Sequence, residues 1–370
     1  MRALGVMSGT SCDGADAVLV EIPNVDRPGN CQVLAHHWVA FAPSLQAELR
    51  QPEKLSARRL AELHAYLPKI YAQAVQGLPG WESAACCGMH GQTVWHQPSD
   101  PQFPTTLQIG SSGYLAQELK MPVVGDMRSA DVAFGGQGAP IVPYAHWFFL
   151  GPNPKPTLVV NLGGMCNMTY VCPDLHDLVA YDTGPGMVLS DTWAQMSTQG
   201  RLAYDKDGTL STGGNALAPL VQAVVGHPFV KRRPPKSTGR EEFGQAWAVD
   251  LLRRLAREAD HKDVAFSALT ATLEALRVNI AADSRIKAPL TRIILTGGGA
   301  HNPTVQGEAQ RLFPKAQVDV HHDGVMAPQH HEPAAMALIA ARTVAGLPSG
   351  VPAVTGARRA AILGHVHAPS

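Results

Sequence analysis

The chain has 370 residues, 45% of them hydrophobic and 16% charged, a composition that buries a core and a length that favours two domains over one. Lys plus Arg number 30 and Asp plus Glu 30, so the formal charge is zero. With no dense basic stripe interleaved with aromatics, a general nucleic-acid binder is excluded. The most apolar stretch, 141–150, carries Pro143 and His146 and is too short to cross a bilayer.

Residues 2–8 read as a buried strand ending in the small-residue turn Ser8-Gly9-Thr10-Ser11. Residues 16–22 and 31–41 read as the next strands, and two closely spaced strands around a tight turn predict an antiparallel hairpin. Leu49, Leu60, Leu63, Leu67 and Ile70 recur at roughly helical spacing and predict a helical segment over 44–76. Residues 84–89 predict a buried strand leading to His90-Gly91-Gln92-Thr93. A short helix over 111–119 and the pair Val123-Val124 follow, then a loop over 125–138 rich in glycine and charge. From 157 the pattern restarts. A strand over 157–162 ends in Gly163-Gly164, residues 167–172 supply its partner, and Val179-Ala180-Tyr181 leads to Asp182-Thr183-Gly184-Pro185-Gly186. Helices are predicted around 187–197, 243–258 and 263–282, a strand over 292–295 ending in Thr296-Gly297-Gly298-Gly299, and a last helix near 334–345.

Each half therefore opens with a strand, a glycine turn and a second strand, a weak internal repeat. Alternating strands and helices predict an α/β fold. The run Gly151-Pro152-Asn153-Pro154-Lys155-Pro156 marks the boundary, and the predicted domains are 1–145 with 341–370, and 146–340.

The six cysteines, Cys12, Cys31, Cys86, Cys87, Cys166 and Cys172, contain no C-x-x-C and no zinc-like spacing, which fits a reduced compartment. The N-terminus shows no long apolar signal segment. A cytoplasmic protein with no membrane partner is expected. His321-His322 and His330-His331 match no metal-site spacing and read as a polar loop.

Glycine turns after buried strands let backbone N–H groups approach phosphate closely. Three such turns occur, at 8–14, 163–164 and 297–299. The first adds Ser8, Thr10, Ser11, Asp13 and Asp16. Asp13 suits a magnesium ion held through water, although Asp13-Gly14 is also a plain hairpin signal. Neither G-x-x-x-x-G-K-[ST] nor a G-x-G-x-x-G after a strand is present, which disfavours P-loop and dinucleotide-binding folds.

These segments carry a family resemblance. Gly5-Val6-Met7-Ser8-Gly9-Thr10-Ser11-Cys12-Asp13-Gly14 resembles the N-terminal signature of the anhydro-N-acetylmuramic acid kinases. Gly91-Gln92-Thr93-Val94-Trp95-His96, Gln108-Ile109-Gly110, Gly125-Asp126-Met127-Arg128-Ser129-Ala130-Asp131, Gly135-Gly136-Gln137-Gly138-Ala139-Pro140 and Asn161-Leu162-Gly163-Gly164-Met165-Cys166-Asn167 match further segments. So do Asp182-Thr183-Gly184-Pro185-Gly186, Pro234-Pro235-Lys236-Ser237-Thr238-Gly239-Arg240-Glu241 and Gly297-Gly298-Gly299-Ala300. The resemblance covers nearly the whole chain. It implies two ribonuclease-H-like, actin-like ATPase domains flanking a nucleotide cleft, with domain closure and a tendency to form homodimers. Two departures stand out. Cys12 occupies a place where the family often has leucine. Ala334 stands where the family usually has a glutamate, with Glu332 two residues earlier.

The implied reaction uses ATP, with Mg2+, and water to convert 1,6-anhydro-N-acetylmuramic acid into N-acetylmuramic acid 6-phosphate and ADP in cell-wall recycling. By resemblance, Gly9, Thr10, Ser11, Cys12, Asp13, Gly14, Ala15 and Asp16 bind ATP phosphates, Gly163 and Gly164 form a second phosphate loop, and Gly297, Gly298 and Gly299 lie near the adenosine. The substrate's O6 is tied to C1, so water must attack C1 and release O6 to accept the phosphoryl group, and a base must take the water's proton. The resemblance assigns that role to Asp182, which residue pattern alone also allows as a turn-forming aspartate. Arg128, Lys236 and Arg240 are candidate partners of the lactyl carboxylate, each also readable as a solvated surface charge. His90, Gln92 and Asp131 are candidates for sugar hydroxyls or the acetamido group. Two other readings are a non-catalytic actin-like nucleotide switch and a kinase for another sugar or acyl acceptor.

Overall fold

A computed structural model describes residues 1–9, 11–151, 155–287, 289–320 and 327–370. Thr10, Pro152 to Pro154 and the pair His321-His322 lie outside them. The chain divides into two compact units, one of residues 1–153, 174–176 and 330–370, the other of 154–173 and 177–329.

The first unit is built on β1 (Arg2–Met7), β2 (Gly14–Glu21), β3 (Gln32–Ala40), β4 (Cys87–Met89), a separate hairpin of β5 (Gln92–Gln97) and β6 (Thr105–Ile109), and β7 (Val123–Gly125). β1, β2 and β3 form the expected antiparallel meander, and β1 continues in parallel to β4 and β7. The C-terminal strand His365–His367 closes the β7 edge. β1 is buried at every residue after Arg2, the pattern of a central strand covered on both faces. One cover is the helix His331–Val344, whose Ala334, Ala337, Ala340 and Ala341 are fully buried. It lies so close that a side chain at Gly5 would strike the Pro333 carbonyl oxygen, and one at Gly88 that of Met336. Glycine is required at both because backbone meets backbone there.

The second unit repeats the plan with β8 (Thr157–Leu162), β9 (Met165–Val171), β10 (Val179–Pro185), β11 (Arg292–Thr296) and β12 (Gln317–Asp319). Its order is β10-β9-β8-β11-β12, antiparallel across the first three and parallel across the last three. The first unit reads β3-β2-β1-β4-β7 in the same senses. The internal repeat is thus topological, and each unit has the ribonuclease-H-like order. Helix His261–Ala282 passes by length and composition as a membrane span. It packs against β10 and the helices Val188–Ser197, Ala218–Val225 and Pro303–Leu312, and Leu269, Leu273 and Leu276 join the core beneath the sheet.

Several expectations need correction. The helix predicted over 44–76 is two helices, Pro43–Leu49 and Ala57–Gln76. Pro52 opens a single 3-10 turn between them, and the Ser56 hydroxyl caps the second by accepting from Arg59 N. The loop 125–138 contains the helix Ser129–Ala133. The expected cut at 145/146 falls inside helix Pro143–Phe149, and the cut at 340/341 falls inside helix His331–Val344; both helices belong whole to the first unit. Their physical tie is Arg342, whose guanidinium lies over the Tyr144 ring. His330 ends a 3-10 turn and His331 begins a helix. Their rings pack on His36 and His146, at 4.7 Å and 5.5 Å, so this pair is not the polar loop expected. No metal-holding group of three His, Cys, Asp or Glu side chains exists among the described residues.

Candidate functional site

In the first unit the turn after β1 is drawn tight by Cys12 N donating to Gly9 O at 3.1 Å and Ser11 Oγ donating to Asp13 Oδ1 at 2.6 Å. Ser8 Oγ and Tyr71 Oη pair at 2.8 Å beneath it. Ser11 and Asp13 are exposed. The backbone at Cys12 has φ 55°, a left-handed conformation costly for a residue with a side chain, and its thiol is turned into the core. Ala15 is fully buried in β2. The Asp16 carboxylate pairs with His36 Nε2 at 2.9 Å across β2 and β3. Of the residues predicted to hold phosphate here, Cys12, Ala15 and Asp16 therefore direct their side chains elsewhere. Gly9, Ser11 and Asp13 remain at the turn.

The hairpin β5–β6 joins this turn through Gln92 Nε2, which donates to Gly9 O at 3.3 Å. Next to it, His90 Nδ1 faces Gly91 O at 2.8 Å, which places the proton there, and Nε2 accepts from Arg128 Nε at 2.9 Å. Burial first, then the Arg128 charge, pushes the His90 imidazole down to about 3, so it is a neutral tether. Arg128 Nη1 also donates to Gly138 O at 2.7 Å. The Asp131 carboxylate is 1% exposed and accepts from Gly138 N and from Thr355 Oγ1, each at 2.8 Å. It staples loop 135–138 to the helix that carries it and to Thr355.

Sequence reasoning missed two side chains beside these. Gln92 Oε1, His96 Nε2 and Gln108 Oε1 are buried with no hydrogen-bond partner among the described residues. Such atoms each cost about 1–3 kcal/mol unless something pairs with them. His96 and Gln108 stand on one face of the hairpin, linked through the Thr106 hydroxyl at 3.0 and 2.8 Å. Burial, then Arg128, holds the His96 imidazole down at about 4, hence neutral. Both residues lie in quoted motifs, but the β-bulge between Thr93 and Trp95 that brings them to one face leaves no sequence mark.

In the second unit Asp182 sits on β10, where the ladder to β9 slips between Asp182 and Gly184. A bulge of this kind re-aims the side chain next to it. The half-buried carboxylate accepts from Thr238 N at its Oδ2, 2.8 Å away, and Asp182 N donates to Lys236 O at 3.3 Å. The Lys236 ammonium is spent elsewhere. It is buried at 6% exposure and donates to Phe229 O, Val230 O and Asn279 Oδ1 at 3.1, 3.0 and 2.6 Å. Three N–H groups meet three acceptors, so the Lys236 ammonium is engaged by its own unit in this structure. Arg240 is exposed at the start of helix Arg240–Phe243.

The glycine turns of this unit come together. Gly186 N and Met187 N donate to Gly164 O and Gly163 O at 2.9 and 2.8 Å. A side chain at Gly299 would strike Met187, and one at Gly297 would strike Asn161, whereas Gly164 and Gly298 face open space. Asp191, three residues into helix Val188–Ser197, is pushed up to about 7 by burial and by the neighbouring Asp205. Asp205 is itself saturated by Leu210 N, Ser211 Oγ and Asn302 Nδ2.

Position 334 is fully buried in the helix that packs on β1, where an unpaired carboxylate is costly. Glu332, half-exposed in the first turn of the same helix, is the carboxylate this element carries.

The sequence model of one family, described as anhydro-N-acetylmuramic acid kinase, matches residues 1–369. Among solved structures, the activator of 2-hydroxyisocaproyl-CoA dehydratase from Clostridium difficile is 12% identical, with 92% of this chain and 94% of that one covered and a TM-score of 0.42. Component A of (R)-2-hydroxyglutaryl-CoA dehydratase from Acidaminococcus fermentans is 10% identical over 93% and 99%, with a TM-score of 0.43. A ROK family glucokinase from Streptomyces griseus is 13% identical over 92% and 99%, with a TM-score of 0.40. Likeness at this level decides nothing further, and the family match carries the assignment.

Proposed function

Because the chain belongs to the anhydro-N-acetylmuramic acid kinase family, we propose a division of labour among its residues for that family's reaction. The protein is an α/β, actin-like, ATP-dependent kinase that converts 1,6-anhydro-N-acetylmuramic acid into N-acetylmuramic acid 6-phosphate in peptidoglycan recycling. In our reading Asp182 takes a proton from water as the water oxygen bonds to C1. The C1–O6 bond breaks, O6 takes the γ-phosphoryl group, and ADP leaves. The observation that carries this is the clamp on Asp182: a carboxylate at a bulge, half-buried, with one oxygen fixed by Thr238 N at 2.8 Å. A base held in one orientation needs little reorganisation at the moment of proton transfer.

Phosphate binding falls to the backbone at Gly9, Ser11, Asp13 and Gly14, to Gly163-Gly164, and to the turn at Gly297-Gly298-Gly299 toward the adenosine. Asp13 suits magnesium, since its carboxylate is exposed at the turn with Ser11 Oγ on one oxygen and magnesium bound to phosphates asks for few protein ligands. When bound, the ion neutralises charge on the transferring phosphoryl group. Sugar recognition falls to Gln92, His96 and Gln108, whose orphaned atoms pair with hydroxyl or acetamido groups, and Arg128 or Arg240 meets the lactyl carboxylate. We place the reaction in the cytoplasm, where ATP is supplied and all six cysteines stay free. A homodimer is checked by sedimentation.

The experiment is turnover with substrate carrying 18O at the bridging oxygen. The label is expected in the phosphate ester of the product, with ADP formed in equal amount. Label at C1, or ADP formed only with the open sugar, would remove the proposal.

A further inference from the structure

We infer that Lys236 and Asn279 form a positioning lock that sets Asp182 from both sides; the inference rests on the reading of Asp182 as the base. Lys236 O receives Asp182 N at 3.3 Å, and two residues on Thr238 N reaches Asp182 Oδ2 at 2.8 Å. The segment 236–238 is therefore the jaw on one side of the carboxylate. That jaw is pinned by the Lys236 ammonium, through the carbonyls of Phe229 and Val230 and the amide oxygen of Asn279. Asn279 is the second jaw. Its Nδ2 donates to Thr183 O at 3.2 Å, on the bulge following Asp182, and to Ala275 O at 2.8 Å within its own helix. One short bond, Nζ to Oδ1 at 2.6 Å, ties the two jaws together.

Only the ammonium can do this. Three acceptors surround Nζ, and a neutral amine has two N–H groups, so losing a proton opens one of the three bonds. The surroundings set when that happens. Burial lowers the Lys236 ammonium to about 8, helped by Arg232 and opposed by Asp182 and Glu242. The Phe229 and Tyr181 rings, 4.8 and 5.7 Å from Nζ, face it as well, and the Arg285 guanidinium also lies over the Tyr181 ring, at 5.9 Å. The sign of the linkage separates a lock from a mere prop. A lysine depressed below its ordinary 10.5 costs the fold stability while charged, and that cost is relieved as pH rises from 8 toward 10.5. Across that window this group's contribution to stability rises while alignment of the base falls. A purely structural lysine would make activity follow stability.

The test measures kcat at saturating ATP and sugar from pH 6 to 10 for the wild type, Asn279→Asp and Lys236→Met. The wild type is expected to lose kcat with an alkaline limb near pH 8. Asn279→Asp keeps an acceptor for Nζ and adds an opposite charge, so its limb moves up by about one pH unit, while loss of the donation to Thr183 O lowers its plateau kcat below the wild type. Lys236→Met is expected to lose the limb and at least ~10-fold in kcat, with ATP affinity unchanged. A flat wild-type profile, or a limb that Asn279→Asp leaves in place, overturns the lock; these two proteins decide the matter even where Lys236→Met does not fold. Asp182→Asn keeps the two readings apart. If it is inactive and the wild-type profile is flat, the lock fails and the base stands. If it turns over normally, the base fails and takes the lock with it.

Discussion

Residues 125–138 of the first unit and 231–242 of the second are built on opposite choices. The first segment spends its acid: Asp131 is buried under Gly138 N and the Thr355 hydroxyl, while Arg128 stays half-exposed beside neutral His90. The second spends its base: Lys236 is buried among three acceptors, and the carboxylate it steadies, Asp182, stays half-exposed. Buried charge is tolerated when it is hydrogen-bonded, so each loop uses one buried, hydrogen-bonded side chain as its fastener. The sign of the fastener decides which sign is left over. Type alone, acid or base, therefore does not tell an engaged side chain from an accessible one; the hydrogen bonds around it do.

That contrast can be broken by substitution. The largest effect is expected at Asp131→Ala, which orphans two buried donors and should cost about 2–4 kcal/mol in denaturant unfolding, with kcat of the folded fraction little changed. A large loss of kcat without loss of stability would place Asp131 among the working residues. Arg128→Met should raise KM for the sugar ~10–100-fold, the value of hydrogen bonds to a charged group, while ATP affinity holds. His96→Ala and Gln108→Ala should each raise the same KM ~3–10-fold, the range for neutral bonds; unchanged KM in both would leave their orphaned atoms unexplained. The smallest effect is expected at Asp191, on neither loop. Its carboxyl is held near 7 against 3.8, so the folded state binds more protons between those values and stability falls as pH rises through them. Asp191→Asn should therefore raise Tm by several degrees at pH 8 and change it little at pH 4.

Much of the fold was legible because its signals are local. Strand, glycine turn and strand recur at 2–22 and 157–172, and the observed β1–β2 and β8–β9 pairs follow. The break before Ala57 was legible too, in Pro52 and in Ser56 as a cap, signals that the helical spacing of the leucines overrode. What stayed hidden depends on distant partners. Nothing in Pro234-Pro235-Lys236-Ser237 tells that its lysine meets Asn279, 43 residues away. Nor does the sequence near Asp131 announce Thr355, 224 residues on. The membership of helix His331–Val344 was lost for the same reason, since it packs against β1, β2 and β4 at the far end of the chain. At the candidate site the glycines and Asp182 were readable as types in turns. Which side chains remain available could be read only once their hydrogen bonds were known, as Cys12, Asp16 and Lys236 demonstrate.

Asp182→Asn tests the central claim most directly. The substitution keeps the shape and an oxygen to accept from Thr238 N, and removes the basicity. With both substrates bound at wild-type affinity, measured by calorimetry, single-turnover ADP formation is expected to fall by ~10²–10⁴ or more. A rate within tenfold of the wild type would contradict the account.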